Sequence, residues 1–281
     1  MSFVLTLSCP DRPGIIRAVA GHLADAGCNV TDSQQFADPA TRRFFLRAEA
    51  DPPAGLDLDV LRGSFAGVAL NFTMDWAIWD AAERSRILIL VSKAGHCLND
   101  LLFREESGSL HADVVGVVSN HPDLRGMAER HGVPFHHVPV PPGGKPAAEE
   151  ALLDLVATEK VDLVVLARYM QILSPAVASA LAGRAINIHH SFLPSFVGAR
   201  PYSQAYERGV KLIGATAHYV TSDLDEGPII EQDVTRVDHA HRPEQLAAAG
   251  RDVEALVLAR AVRWHVEHRV MLDGIRTVVF R

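Results

Sequence analysis

The sequence predicts an α/β protein of two domains: a small β-α-β-β-α-β unit, then a doubly wound, mostly parallel sheet. The apolar pattern over positions 2–79 gives strands and helices in that order. From position 86 onward strands alternate with helices, which is typical of parallel sheets covered on both faces. With 281 residues, 48% of them hydrophobic, the chain can bury two cores. We place the domains at residues 1–80 and 86–281, joined by the polar, alanine-rich segment Asp80–Ser85.

The first domain has short apolar runs separated by turn residues. Helical spacing of apolar residues ends at Gly27, and the turn-like segment Ala37–Ala40 separates the next two strands. Together these elements predict a ferredoxin-like unit. The predicted elements are, in chain order, strand Phe3–Ser8, helix Ile15–Ala26, strands Cys28–Phe36 and Arg42–Glu49, helix Leu56–Ala66 and strand Val68–Ile78.

The second domain begins with the continuous apolar run Ile87–Val91, which is typical of a strand buried on both faces. Ser174 and Pro175 form an N-cap and first-turn pair for a helix. Ligands of doubly wound sheets bind beyond the carboxyl ends of the strands. The other predicted elements are helix Leu98–Phe103, strand Asp113–Ser119, helix Leu124–His131, strand Phe135–Val138, helix Ala147–Lys160, strands Asp162–Ala167, Ala185–His189 and Gly227–Val234, a helix from Pro243 to about His268, and strand Thr277–Phe280.

Composition excludes several classes of protein. The net charge is −7 and no Lys/Arg block occurs, which argues against binding nucleic acid or an anionic membrane surface. The N-terminus lacks the basic region of a signal peptide, and no apolar run approaches the roughly 18 residues that cross a bilayer. Three widely spaced cysteines, without a CxxC pair, indicate reduced thiols and no zinc motif. We therefore expect a cytoplasmic protein.

Polar side chains that could carry chemistry cluster between Ala185 and Asp225. Strand alternation places Asn187 and His189 on one face, where an amide beside an imidazole suits stabilisation of an oxyanion. The alternative is that both residues only satisfy a turn. Asp225 follows a polar turn, and a carboxylate near a histidine could orient water and relay protons.

Other catalytic chemistries have weaker support in the sequence. Fourteen histidines suggest a metal, but no HExxH occurs, and His189 and His190 would point to opposite faces of a strand. No GxSxG motif marks a serine nucleophile, and Ser92–His96 matches neither a P-loop nor GxGxxG. We expect no metal and no cofactor.

The turn before the first helix is a candidate effector site. Asp11 and Arg12 are charged, and Gly14 precedes backbone N–H groups that could bind a small carboxylate. Ordinary turn chemistry explains the same residues equally well.

The pattern LSCPDRPGII…LADAGCNV, with the predicted element order, resembles an ACT domain. The resemblance covers about the first quarter of the chain. It implies regulation by an amino-acid effector, and pairing of such units into a homo-oligomer. It does not indicate which amino acid binds.

The segments NIHHSFLPSF and GATAHYVTSDLDEGPIIEQDV resemble the formyl-transferring fold of enzymes that use 10-formyltetrahydrofolate. The resemblance implies that Asn187, His189 and Asp225 are catalytic. It also implies a folate pocket formed by Met170, Gln171, Ile172, Leu173 and Val220. The bond Leu193–Pro194 falls in a turn between site segments, and the sequence leaves open whether it is cis.

One segment separates two branches of that fold. Ser92–Leu98 departs from the Gly- and Asn-rich phosphate loop of the glycinamide ribonucleotide transformylases. That segment, the second histidine of NIHH and the ACT-like unit resemble the formyltetrahydrofolate deformylase family. This implies hydrolysis of 10-formyltetrahydrofolate to tetrahydrofolate and formate, which would supply formate for purine biosynthesis. A transformylase and a catalytically silent amino-acid sensor are the alternatives.

Overall fold

The computed structural model describes residues 2–193 and 201–281, with only the backbone of Pro201. The chain forms two compact units. The first comprises Met1–Arg84 with Glu267–Met271 and Val278–Arg281, and the second comprises Ser85–Val266 with Leu272–Thr277. The two C-terminal segments of the first unit lie within residues 86–281, which the sequence prediction assigned wholly to the second domain.

The first unit has the predicted β-α-β-β-α-β order. Its strands pair antiparallel in the order β2-β3-β1-β4. Phe3, Leu5 and Leu7 alternate along β1 into a core that Leu23 of α1 and Phe65 of α2 complete. Its elements are β1 Phe3–Pro10, α1 Ile15–Asp25, β2 Asn29–Asp38, β3 Arg43–Asp51, α2 Leu58–Phe72 and β4 Asp75–Asp80.

The predicted boundary between the second helix and the last strand of this unit is wrong. Helix α2 continues to Phe72, so Val68 belongs to it, and β4 begins only at Asp75. Leu61, Phe65 and Ala69 recur every fourth residue and are all buried, which keeps one helical face on the core. This helical period extends further than the apolar run suggested.

The second unit contains a seven-stranded sheet. Helix α8 ends at Val266, before the predicted His268, and the prediction missed β12. Its elements are β5 Ser85–Val91, α3 His96–Glu106, β6 Ala112–Ser119, α4 Arg125–Arg130, β7 Phe135–His137, α5 Lys145–Thr158, β8 Leu163–Leu166, α6 Pro175–Ala180, β9 Ala185–His189, α7 Pro201–Arg208, β10 Leu212–Tyr219, β11 Ile229–Arg236 and α8 Pro243–Val266. A hairpin, β12 Val270–Asp273 and β13 Arg276–Val279, carries residues of both units.

The strand order of this sheet is β11-β10-β9-β8-β5-β6-β7. Strands β5 to β9 pair in parallel, whereas β10 and β11 add an antiparallel edge. The chain leaves β5 toward β6 on one side and returns to β8 on the other, so the strand order reverses beside β5. The doubly wound, mostly parallel sheet is therefore confirmed, and ligands are expected at the carboxyl ends near this reversal.

None of the helices in the described part of the chain combines the length and the apolar character that crossing a membrane requires.

Candidate active site

The pairing of β9 with β10 assembles a polar patch inside the sheet. In the antiparallel register His218 lies opposite Asn187, and Thr216 lies opposite His189. Opposed residues of an antiparallel pair share one face, so four polar side chains gather there. His218 and Thr216 are buried, and Asn187 and His189 are half-buried.

The loop after β10 brings Asp225 to this patch. Its carboxylate Oδ2 lies 3.1 Å from Nδ1 of His189, and Oδ1 lies 3.6 Å from Nε2 of His218. Asp225 has φ 58°, a left-handed conformation that aspartate tolerates better than most residues. The structure thus brings together the three predicted residues Asn187, His189 and Asp225; their catalytic roles stay a prediction.

His218 lies between the Asn187 amide and this carboxylate. Its Nδ1 lies 2.9 Å from the Tyr219 carbonyl oxygen, so Nδ1 carries the hydrogen. In the neutral ring Nε2 then has a lone pair, which accepts from Asn187 Nδ2 at 3.2 Å. This contact orients the amide, whose second N–H has no acceptor among the described residues.

The charges of the patch favour an ionised Asp225. His189 lowers the pKa of Asp225 far below its usual range, and His218 adds to this at longer distance when its ring is protonated, which together outweigh the effect of burial. Nε2 of His189 is buried and has no hydrogen-bond partner among the described residues. A protonated His189 can therefore bind Asp225 through Nδ1 and present Nε2–H to a developing oxyanion.

The expectation that His189 and His190 point to opposite faces is wrong. Their rings are stacked, with centroids 5.0 Å apart and an interplanar angle of 17°. Strand β9 ends at His189, so the alternation no longer governs the next residue. His190 also contacts Arg168 through a ring nitrogen: Nη1 of Arg168 lies 2.5 Å from Nδ1 of His190.

The segment after β9 is anchored to β10 and β11. The hydroxyl of Thr216 donates to the Ser191 carbonyl and accepts from the Leu193 backbone N–H. Gln232 donates to the Leu193 carbonyl at 3.0 Å. These bonds fix the chain directly after His190. The Leu193–Pro194 bond lies outside the described residues.

The predicted folate-binding residues lie in and near the loop after β8. Met170 and Ile172 are each 60% exposed, so they offer apolar surface to a ligand. Gln171, Ile172 and Leu173 line one cavity, whereas Met170 and Val220 are not among its lining residues. Leu173 and Val220 are partly buried and pack on the same core cluster. Their role in binding stays a prediction.

Ser92 ties this loop to the carboxyl ends of the neighbouring strands. Its hydroxyl accepts from the Met170 backbone N–H at 3.0 Å and donates to Asn120 Oδ1 at 2.6 Å. Because Ser92 follows β5 and Asn120 follows β6, one side chain connects three loops. The proposed folate surface therefore has a fixed position beside the strand reversal.

The predicted effector residues belong to the first unit and have partners within it. Arg12 donates to the Asn71 carbonyl and lies 4.4 Å above the Phe72 ring. Gly14 has φ 98°, a left-handed conformation that favours glycine, directly before α1. Asp11 is exposed, and its backbone N–H donates to the carbonyl oxygen of Arg42. Effector binding by Asp11, Arg12 and Gly14 stays a prediction.

A second polar cluster contains the possible metal ligands His96, Cys97 and Glu254, whose ligand atoms lie within 4.8 Å of one another. These residues do not fit a metal. The Glu254 carboxylate already accepts from His96 and from Tyr202, and Arg168 places a positive charge beside it. Burial raises the pKa of the Cys97 thiol, which keeps it protonated and a poor ligand.

Sequence reasoning missed His218, Thr216, Arg168 and Glu254. The first two had a usable signal, because Thr216 and His218 are polar residues at alternate positions of an otherwise apolar strand. Arg168 and Glu254 lie on separate elements and carry no local pattern.

The comparisons with known proteins agree with this fold. The model of the Formyl transferase family matches residues 85–262, and that of the ACT domain family matches residues 3–63. Fold and site together define an enzyme of the formyltransferase fold with an ACT domain. The predicted resemblances to both families are confirmed.

Full-length relatives specify the family. The formyltetrahydrofolate deformylase of Corynebacterium sp. (strain P-1) is 54% identical over 99% of this chain and 98% of that protein. The one of Bacillus subtilis (strain 168) is 50% identical over 98% of this chain and 93% of that protein. A crystal structure of the Burkholderia mallei deformylase covers 100% of this chain and 99% of that one, with 56% identity and a TM-score of 0.96. The chain belongs to the formyltetrahydrofolate deformylase family.

The transformylase alternative has only distant neighbours. Glycinamide ribonucleotide transformylase 1 from Symbiobacterium toebii is 33% identical, with a TM-score of 0.66. That match covers 72% of this chain and 97% of the transformylase chain. More than a quarter of this chain therefore has no counterpart in it.

Proposed function

We propose that this protein hydrolyses 10-formyltetrahydrofolate to tetrahydrofolate and formate. Relatives that match nearly the whole chain carry the name formyltetrahydrofolate deformylase. The observation that carries the chemistry is the convergence of Asn187, His189 and Asp225 on one face at the carboxyl end of β9. An amide donor, an imidazole and a carboxylate are the groups that addition of water to a formyl carbon requires.

In this proposal the oxygen of a water molecule attacks the formyl carbon, one proton of that water passes to solvent, and a tetrahedral adduct with an oxyanion forms. Nε2–H of His189 and the second N–H of Asn187 stabilise the adduct's oxyanion. The adduct then collapses: the bond between the formyl carbon and N10 breaks, N10 takes the proton of His189, and the product leaves as formate after its hydroxyl proton passes back to His189. No covalent bond to the protein forms in this sequence.

In this scheme Asp225 positions the attacking water and stabilises the positive charge of a protonated His189, and it is not the base that deprotonates the water. Because its pKa is lowered, its carboxylate is a weak base and takes a proton from water only with difficulty. It is better suited to accept a hydrogen bond from the water and to stabilise a protonated His189, which it faces at 3.1 Å. His189 can then pass its proton to the collapsing adduct.

The folate is proposed to bind beside this patch. Met170 and Ile172 provide exposed apolar surface for a flat ring, and Gln171 provides an amide for its polar edge. Leu173 and Val220 pack on the core cluster next to this region. We propose that hydrolysis itself needs no metal and no cofactor.

One assay tests the proposed function against its alternatives. The protein is incubated with 10-formyltetrahydrofolate alone, and formate and tetrahydrofolate are followed. Release without any amine supports hydrolysis. Release only after addition of glycinamide ribonucleotide supports a transformylase, and no release with either supports a catalytically silent sensor.

We further propose that the first unit binds an amino-acid effector near Asp11, Arg12 and Gly14 and pairs with that of a second copy. The ACT family match supports an effector, since such domains commonly bind amino acids. Sedimentation velocity with and without each common amino acid tests both points. A monomer at all concentrations would contradict pairing, and unchanged activity and sedimentation with every amino acid would contradict an effector.

The proposed cellular role is in the cytoplasm, where hydrolysis balances one-carbon folate pools and supplies formate for purine biosynthesis. Buried, unpaired cysteines agree with a reducing compartment. Cell fractionation with an antibody against the protein tests the location, and recovery outside the cytoplasmic fraction would contradict it.

A further inference from the structure

A chain of contacts runs from the buried carboxylate of Glu254 to the proposed active site. It passes through Arg168 and His190 and ends at the His189 ring. None of these contacts is used in the hydrolysis derived above. The inference drawn from them rests on the proposed function.

Glu254 is the fixed end of this chain. Its side chain is 1% exposed, and its carboxylate accepts from Tyr202 Oη at 2.6 Å and from His96 Nε2 at 2.8 Å. A Cβ on Gly250, one turn earlier in α8, would overlap the Tyr202 ring. Burial alone would raise the pKa of Glu254, but His96, Arg168 and Tyr202 together lower it, so the carboxylate stays charged.

Arg168 forms an ion pair with the Glu254 carboxylate. Its Nε lies 3.4 Å from Glu254 Oε2, and its side chain is 17% exposed. Its backbone has φ 65°, a conformation that is uncommon for arginine and persists only where surrounding contacts impose it. The guanidinium therefore lies between the Glu254 carboxylate and the His190 ring.

The guanidinium sets the protonation of His190. Arginine has donors and no acceptor, so the 2.5 Å contact between Nη1 and His190 Nδ1 requires a lone pair on Nδ1. His190 is then neutral, with its hydrogen on Nε2. Burial, Arg168 and His189 lower the pKa of His190 to about 4, against the opposing charges of Glu254 and Asp225.

Because the two rings are stacked, the neutral state of His190 affects the protonation of the catalytic candidate His189. With centroids 5.0 Å apart, His189 and His190 cannot both carry a positive charge without strong repulsion. His189 is the ring that faces the Asp225 carboxylate and whose Nε2 has no partner among the described residues. The proposed oxyanion donor therefore needs the proton on His189.

We propose that Arg168, anchored by Glu254, is a positioning residue that directs the active-site proton to His189 by occupying Nδ1 of His190 and holding that ring neutral against His189.

The main test is Arg168→Met, which removes the donor and the charge. We expect kcat to fall at least ~10-fold while KM for 10-formyltetrahydrofolate changes less than ~3-fold, because the folate surface is untouched. We also expect the acid limb of the kcat profile to move up by about one pH unit, because His190 can then be protonated. Arg86→Met is the matched control, since Arg86 pairs with Glu159 at the beginning of β5, away from the carboxyl ends.

A double variant separates this role from a structural one. In a His190→Gln background no ring competes for the proton, so adding Arg168→Met should not move the acid limb further. An equal shift in that background would overturn the proposal, as would a wild-type kcat and pH profile for Arg168→Met. If Arg168→Met does not fold, Arg168→Lys replaces it and should give a smaller shift in the same direction.

An activity-independent measurement distinguishes failure of this inference from failure of the proposed function. With ¹⁵N-labelled histidine, NMR titration of the wild type should show His190 neutral at pH values where His189 is protonated. The reverse order would overturn the proposal even if formate is released. The expected order in a protein that releases no formate would refute the hydrolysis and leave the proton assignment intact.

Discussion

Nδ1 of His189 lies 3.1 Å from Oδ2 of Asp225, although a helix and a strand separate these residues along the chain. The contact joins the end of β9 to the loop after β10. It explains why the pKa of Asp225 is lowered, and it places the proposed oxyanion donor beside a carboxylate.

The first prediction concerns the Asp225 carboxylate. Asp225→Asn keeps the shape but removes the charge that supports a protonated His189, so we expect formate release to fall by at least ~10²-fold. The measurement is steady-state formate release. Asp238→Asn, in an exposed turn, is the control and should keep full activity. Wild-type turnover in Asp225→Asn would refute this assignment.

The second prediction concerns the backbone beside Asp225. A Cβ added at Gly227 would overlap the carbonyl oxygen of Tyr219, so Gly227→Ala must displace the loop that holds Asp225. We expect kcat to fall ~10-fold or more, because small displacements of catalytic groups are costly. Gly126→Ala, in α4, meets only the end of the Arg130 side chain and should keep activity. Equal kcat values for the two variants would show that the loop tolerates the change.

The third prediction concerns acid stability. Burial lowers the pKa of His265 from 6.5 to about 4, and its Nδ1 lies 2.7 Å from Tyr219 Oη. Because the folded-state pKa is the lower one, the neutral ring's contribution is present above pH 6.5 and is lost as the pH falls toward 4.

The variant His265→Gln keeps a polar partner for Tyr219 and removes the titrating ring. Between about pH 6.5 and about pH 5, the wild type should lose about 2 kcal/mol more of its free energy of unfolding than this variant. Urea unfolding at both pH values measures it. His239→Gln, an exposed control, should behave like the wild type, and parallel losses in all three proteins would contradict the prediction.

The fourth prediction concerns metal removal. We expect dialysis against EDTA to leave formate release unchanged, because Asn187 and His189 are proposed to stabilise the oxyanion without a Lewis acid. The same assay before and after dialysis measures this. Loss of activity that added zinc or another divalent ion restores would contradict the proposed chemistry.

Much of the fold was predictable from local pattern. The apolar run Ile87–Val91 predicted a strand buried on both faces, and β5 lies inside the sheet, between β8 and β6, with these residues buried. The limit of such pattern reading appears at α2, where Val68 continues a helix that the sequence suggested was a strand. Apolar residues near an element boundary fit either period, and packing decides between them.

The candidate site shows the same division. Strand alternation placed Asn187 and His189 on one face, and this depends only on the geometry of a single strand. The position of Asp225 depends on its own left-handed backbone conformation and on the close approach of Gly227 to the Tyr219 carbonyl. His218 reaches Asn187 only through the register between β9 and β10. Alternation is a property of neighbouring residues, whereas register is set by packing across the whole sheet.

The Glu254–Arg168–His190 contacts could not be predicted from the sequence. The three residues come from α8, the loop after β8 and the segment directly after β9, and no spacing along the chain connects them. The sequence specifies which groups can donate, accept or carry charge. Which of two adjacent histidines keeps the proton depends on distances of a few ångströms between distant segments, because electrostatic and hydrogen-bond energies change over that range.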